Sequence, residues 1–66
     1  MAPVPDANVY RAADRFIERH GKEALRAAER LIGRMVDRQD RGRFILWLRI
    51  RRAIVALQAP PTGPLH

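Results

Sequence analysis

Apolar residues recur along this chain with the period of an α-helix, in three stretches separated by two short breaks. Val9, Ala13, Phe16, Ile17 and His20 fall at i, i+4, i+7, i+8 and i+11 with Tyr10 beside them, which gathers them on one face of a helix over 6–20. A second set, Ala24, Ala28, Leu31, Ile32 and Met35, keeps the same period with Leu25 and Val36 alongside, and predicts a helix over 22–38. The third stretch, 41–58, is the most apolar. Its Trp47, Ile50, Ala53, Ile54 and Leu57 make one stripe with Leu46 next to it, while Phe44, Leu48 and Val55 share a different side with Arg51.

The punctuation agrees with that division. Proline occurs only at positions 3, 5, 60, 61 and 64, which leaves 6–59 free for helix. Asp6 is the expected N-cap of the first helix, and Gly21 is expected to end it in a left-handed conformation. The second helix has no Ser, Thr, Asp or Asn at its start, so one longer helix kinked at Gly21 is the alternative there. Gly33 costs that helix about 1 kcal/mol relative to alanine; either a neighbouring helix approaches closely there or the glycine is a tolerated defect. The segment from Asp37 to Gly42 holds no large apolar residue and predicts the second turn, with Asp40 capping the third helix. A strand over Phe44–Leu48, continued by the alternation Arg49-Ile50-Arg51, loses on length, because no turn signal interrupts Arg43 to Gln58. The expected fold is all-α: a three-helix bundle (6–20, 22–38, 41–58) as a single domain over 6–59, between a flexible N-terminus, 1–5, and a flexible proline-rich tail, 60–66.

Length sharpens the picture of the third helix. A chain of 66 residues forms one domain and buries only about 60% of its unfolded surface. It contains no cysteine, so no disulfide or zinc knuckle helps to hold it, and helix packing or self-association must do so. A helix apolar beyond one face is more than so small a bundle covers from within. Phe44, Leu48, Arg51 and Val55 are therefore the expected surface for a protein partner or a second copy. The alternative is a bundle whose first two helices straddle the third and hide both of its sides. Trp47 is assigned to the core.

Charge adds a second candidate surface. Thirteen basic residues against seven acidic ones give a formal charge of +6, and all of the basic residues except Lys22 are arginine. Such a field favours acidic partners, although the same bias fits a GC-rich genome. Arg11, Arg15 and Arg19 repeat every fourth residue, as do Arg26, Arg30, Arg34 and Arg38, and either series fits a phosphate backbone. Against that stand Arg11 with Asp14, Arg15 with Glu18, Glu23 with Arg26, Arg26 with Glu29 and Arg34 with Asp37, all at i, i+3. These pairs predict local neutralisation on the first two helices. Unpaired charge is then expected on Arg41, Arg43, Arg49, Arg51 and Arg52, and the alternative function is non-specific nucleic-acid binding through Arg41, Arg43, Arg49 and Arg52. A DNA-reading helix-turn-helix is set aside, since the helices are too long, the third is too apolar, and no Asn or Gln stands in a base-reading position.

Catalysis lacks its parts. Serine and cysteine are absent and the one threonine, Thr62, lies in the tail, so the usual nucleophiles are missing. His20 and His66 are the only imidazoles, and neither belongs to a metal-binding pair. Asp14 and Glu18 share a helical face, but the arginines around them mark surface charges rather than an acid and a base. The expectation is no enzyme, no metal, no cofactor and no small-molecule substrate. Residues 1–5 lack the apolar core of a secretory signal, and the longest apolar run, Phe44 to Leu48, is five residues against the roughly 20 that span a bilayer. A cytoplasmic protein is expected. Attachment to an anionic membrane surface, the least favoured partner, requires the third helix to expose its apolar side.

The stretch Val9-Tyr10-Arg11-Ala12-Ala13 with Ile17-Glu18-Arg19-His20-Gly21, and later Trp47-Leu48-Arg49-Ile50 with Ala53-Ile54, resembles a group of short alphaproteobacterial proteins of no known activity. The resemblance spans most of residues 9–58. Members of the group carry an acidic residue after the His-Gly and an Ala-Gly-Asp turn before the third helix, where this chain has Lys22 and Arg38-Gln39-Asp40. The resemblance implies the same order of three helices and nothing about mechanism.

Overall fold

The computed structural model describes residues 5–59, all of whose regular structure is helical: α1 (Asp6–His20), a 3₁₀ turn (Gly21–Glu23), α2 (Ala24–Asp37) and α3 (Arg41–Gln58). Of the expected flexible ends, 1–5 and 60–66, all but Pro5 lie outside the described residues, Thr62 and His66 among them. α1 starts as the prolines predict but with a different cap. Pro5 takes the N-cap position in extended conformation and its carbonyl accepts from the amides of Asn8 and Val9. Asp6 is instead the first helical residue, which frees its carboxylate for a partner elsewhere.

At the far end of α1, Gly21 adopts φ 59° and ψ −135°, a region open to glycine and costly for any residue with a Cβ. Its N–H donates to the Ile17 carbonyl, and the chain passes through the 3₁₀ turn into α2 with no loop between. The second helix thus begins two residues later than the pattern predicts.

The turn before α3 contains no glycine in a special conformation. Gln39 stands at φ 57°, the amide of Gln39 donates to Val36 and that of Asp40 to Met35, so the last carbonyls of α2 are satisfied by a Schellman pair of bonds. Gly42 lies inside α3, within the range 41–58 expected for that helix. Asp40 caps α3 as predicted, its side chain accepting from the Arg43 amide at 3.2 Å.

α3 packs against both other helices, whereas α1 and α2 meet one another much less. The molecule is therefore all-helical, but its three helices do not surround a common seam equally. The core is small and rich in alanine: Val9 and Ala13 from α1, Ala24 and Ala28 from α2, and Ile50, Ala53 and Ile54 from α3, with Phe16, Ile17, Leu25, Leu46 and Trp47 packed around it. Ile54 is the one large side chain wholly removed from solvent among the described residues. Alanines on the facing helices let α3 approach closely, at the cost of little apolar volume to bury.

Three polar tethers hold α3 in place. Arg49 donates to Asp6 of α1 at 2.7 Å, Arg51 donates twice to one carboxylate oxygen of Glu29 in α2 at 2.9 and 3.3 Å, and Gln58 Nε2 donates to the Gly21 carbonyl at 2.9 Å. Each reaches a different segment of the α1–α2 unit. No described side-chain polar atom is buried without a partner.

Two expectations about packing change. Leu57, placed in the core stripe by its spacing, is 47% exposed; it sits in the last turn of α3, beyond the buried Ala53 and Ile54, so nothing closes over it. Gly33 has no atom near the position a Cβ would take, so no helix approaches there and the glycine is a defect tolerated on the outer side of α2.

Candidate functional site

Two surfaces emerge on opposite flanks of α2. On one, Leu25, Glu29, Ile32 and Val36 recur at i, i+4, i+7 and i+11, and on α3 Phe44, Leu48, Arg51 and Val55 repeat the same spacing. The Arg51–Glu29 pair joins the two stripes. Val36, Leu48 and Val55 are 55%, 42% and 43% exposed, and Leu25, Ile32 and Phe44 are half-buried. Met35, Val36 and Phe44, with Gln39, Asp40 and Arg41, line a shallow hollow of about 630 Å³ where this face meets the turn. Ile45, 54% exposed, adds further apolar surface on the outer side of α3. The bundle that hides both sides of α3 is not what forms: α2 covers part of Phe44 and leaves Leu48 and Val55 to solvent.

Arg51, grouped with these residues from its spacing, belongs to the face in a different manner from that expected. It is not an unpaired charge. Its guanidinium spans from α3 to α2, and both partners stay partly exposed, so the pair orients the helices while contributing only about 0.2–1 kcal/mol.

Pairing of the arginines runs opposite to the expectation. None of the i, i+3 pairs foreseen on α1 and α2 forms an ion pair, and the three ion pairs among the described residues all use arginines of α3: Arg43 with Asp40 at 3.6 Å, Arg49 with Asp6 and Arg51 with Glu29. For Arg49 and Arg51 the cause is tertiary, whereas Arg43 pairs locally, at i, i+3 with the residue that caps its own helix. α3 lies against acidic residues that are distant in sequence, and a guanidinium gains more from a carboxylate whose approach the packing fixes than from one on its own exposed helix face. Of the four arginines proposed for nucleic acid, Arg43 and Arg49 are thereby engaged. Arg49 and Arg52 line one hollow with Asp6 and Tyr10, while Arg41 stands at another beside Asp40. They do not form one free basic patch.

The unpaired arginines lie instead on the other flank. Arg11, Arg15 and Arg19 of α1, with Asn8, Phe16 and Trp47, line an open hollow of about 650 Å³. Across the junction with α2, Phe16, Arg19, His20, Arg30, Leu31 and Arg34 surround a second one of about 320 Å³. Phe16 and Arg19 line both, so the two adjoin. Phe16 meets the Trp47 ring edge-on at a centroid distance of 5.1 Å and lies 4.2 Å from the His20 ring. Trp47 does pack on the core as foreseen, but one side of it reaches this hollow. Sequence reasoning missed this site because pairing at i, i+3 was expected to neutralise its arginines. The recurrence of Arg11, Arg15 and Arg19 was the signal that pointed to it.

Among the described residues there is no cluster of His, Cys, Asp or Glu fit for a metal ion, and no helix long and apolar enough to cross a membrane. No protein-family model matches the chain, nor does any curated protein or solved structure.

Proposed function

We propose that this chain is a small, non-enzymatic interaction module, a cytoplasmic three-helix unit that pairs with a second copy of itself through the α2–α3 face. The observation that carries the reading is the double stripe of Leu25, Ile32 and Val36 beside Phe44, Leu48 and Val55, apolar and partly exposed on two adjoining helices. A chain whose core, among the described residues, holds a single fully buried large side chain has reason to bury more by association.

The face also favours a second copy over an unrelated partner. Its two stripes have equal spacing and are centred on one ion pair, so a two-fold axis near Arg51 and Glu29 sets each stripe against a like stripe of the other copy. With the face two helices wide and about 16 Å long from Leu25 to Val36, such an interface sits at the small end of specific contacts. A reversible dimer follows, not an obligate one.

The test is the molar mass in solution over a wide concentration range for the wild-type chain and for the double variant Leu48→Glu/Val55→Glu. Both side chains are already exposed, so the variant keeps its helices while placing two carboxylates in the interface. Mass rising with concentration in the wild type alone supports the reading, and a monomer throughout sinks it.

A further inference from the structure

We propose that the arginine-lined hollow on α1 and the hollow adjoining it toward α2 form a binding site for single-stranded nucleic acid. The site is distinct from the α2–α3 face and stands whether or not the chain dimerises.

Charge is the first argument. Arg11, Arg15, Arg19, Arg30 and Arg34 line the two adjoining hollows, and among the described residues none of them is in an ion pair and no carboxylate lines either hollow. Five exposed guanidinium groups around hollows with no carboxylate in their lining set up a positive field that a polyanion relieves. Along α1 the three arginines advance one turn at a time, about 6 Å per step, which suits successive phosphates of an extended strand. Guanidinium also matches phosphate geometry better than ammonium does.

Aromatic chemistry is the second argument, and it separates nucleic acid from other polyanions. Phe16, Trp47 and His20 form a chain of rings along the same hollows, each half-buried and so held in place by packing on one side while open on the other. Rings set between cations give a strand both a track for its phosphates and platforms for its bases, the combination used by sequence-tolerant single-strand binders. An uncoiled polyphosphate or sulfated polysaccharide uses only the cations. Bases stacked inside a duplex do not reach the rings. An anionic bilayer calls for an apolar surface among the cations, whereas here the exposed aliphatic residues lie on the other flank of α2 and on α3.

Trp47 is the only tryptophan of the chain, so its fluorescence reports on the site directly. The full chain is titrated with oligothymidylate, with a duplex of equal length, with polyphosphate and with vesicles of phosphatidylglycerol. The proposal expects oligothymidylate to bind most tightly and to quench Trp47. Five phosphate contacts on a single strand give a salt slope of about −3.5, so affinity falls about 100-fold between 50 and 200 mM salt. The variant Arg11→Gln/Arg15→Gln retains helix-forming residues and lowers that slope by about 1.4, while Arg41→Gln/Arg52→Gln removes the same charge from elsewhere and leaves the slope and the quenching as they are. Equal loss in both variants makes the effect one of net charge and overturns the proposal. So does binding of polyphosphate, duplex or vesicles as tight as that of oligothymidylate, or the absence of binding at low salt.

Discussion

The two flanks of α2 are built from similar raw material and end up with opposite character. On the flank toward α3, an arginine meets a carboxylate across the helix gap, and the remaining positions, Leu25, Ile32, Val36, Phe44, Leu48 and Val55, are apolar. On the flank toward α1, Arg30 and Arg34 face Arg19 and His20 with no carboxylate lining the space between. The difference teaches where charge is neutralised in a small helical protein. Packing of a distant helix fixes a partner for Arg49 and Arg51, whereas proximity along an exposed helix leaves Arg11, Arg15 and Arg26 free of their i, i+3 neighbours. One flank is therefore suited to an apolar counterpart and the other to a polyanion.

The largest expected effect comes from removing what both flanks rest on. Ile54 is fully buried where α3 meets α1 and α2, and Ile54→Ala costs about 2–5 kcal/mol, most or all of the stability of so small a domain. Thermal melting followed by circular dichroism should lose its cooperative transition. Leu57→Ala, in an exposed position that spacing alone assigns to the core, should leave the melt within about 0.5 kcal/mol of wild type. Equal losses in the two variants would mean that the core extends to the end of α3.

Two substitutions at strained or empty positions should act in the other direction. Gly33 lies on the outer side of α2, between the flanks, with open space where a Cβ would go. Gly33→Ala should stabilise the chain by about 0.5–1 kcal/mol without altering either flank, read as a higher melting temperature. Gln39→Gly relieves the positive φ in the turn that sets α3 against α2, and should add roughly as much. A loss at position 33 would show that something packs there in solution.

The smallest effect tests the ion pair that distinguishes the flanks. Arg51→Ala removes a partly exposed pair and should cost about 0.2–1 kcal/mol in chemical denaturation. The double-mutant cycle with Glu29→Ala isolates the coupling itself. A cycle with no coupling energy would leave the apolar packing of α3 as the sole organiser of that flank.

Much of this architecture is legible in the chain. Prolines at both ends and an uninterrupted 3.6-residue period mark α1 and α3 to within the residues observed, and the same period sets Leu48 and Val55 apart from Ile50, Ala53 and Ile54, which is how they are disposed. What the pattern does not carry is tertiary choice. Asp6 reads as a cap because of its place before an apolar run, but Pro5 fills that role and Asp6 turns to Arg49, 43 residues away. The gap in large apolar residues from Asp37 to Gly42 marks the second turn, but not that it closes on Gln39, where the Schellman bonds form. The basic hollow is legible only in part: the recurrence of Arg11, Arg15 and Arg19 marks it, but spacing states only which charges are within reach of one another and not which of them pair.

Pairing of two copies through the apolar flank between α2 and α3 is read most directly by sedimentation equilibrium. For the wild-type chain the account predicts an average mass that rises with concentration from 7.6 kDa towards twice that value, while Leu48→Glu/Val55→Glu stays at the lower mass with unchanged helicity. A wild-type chain that remains at the monomer mass at every concentration would contradict it.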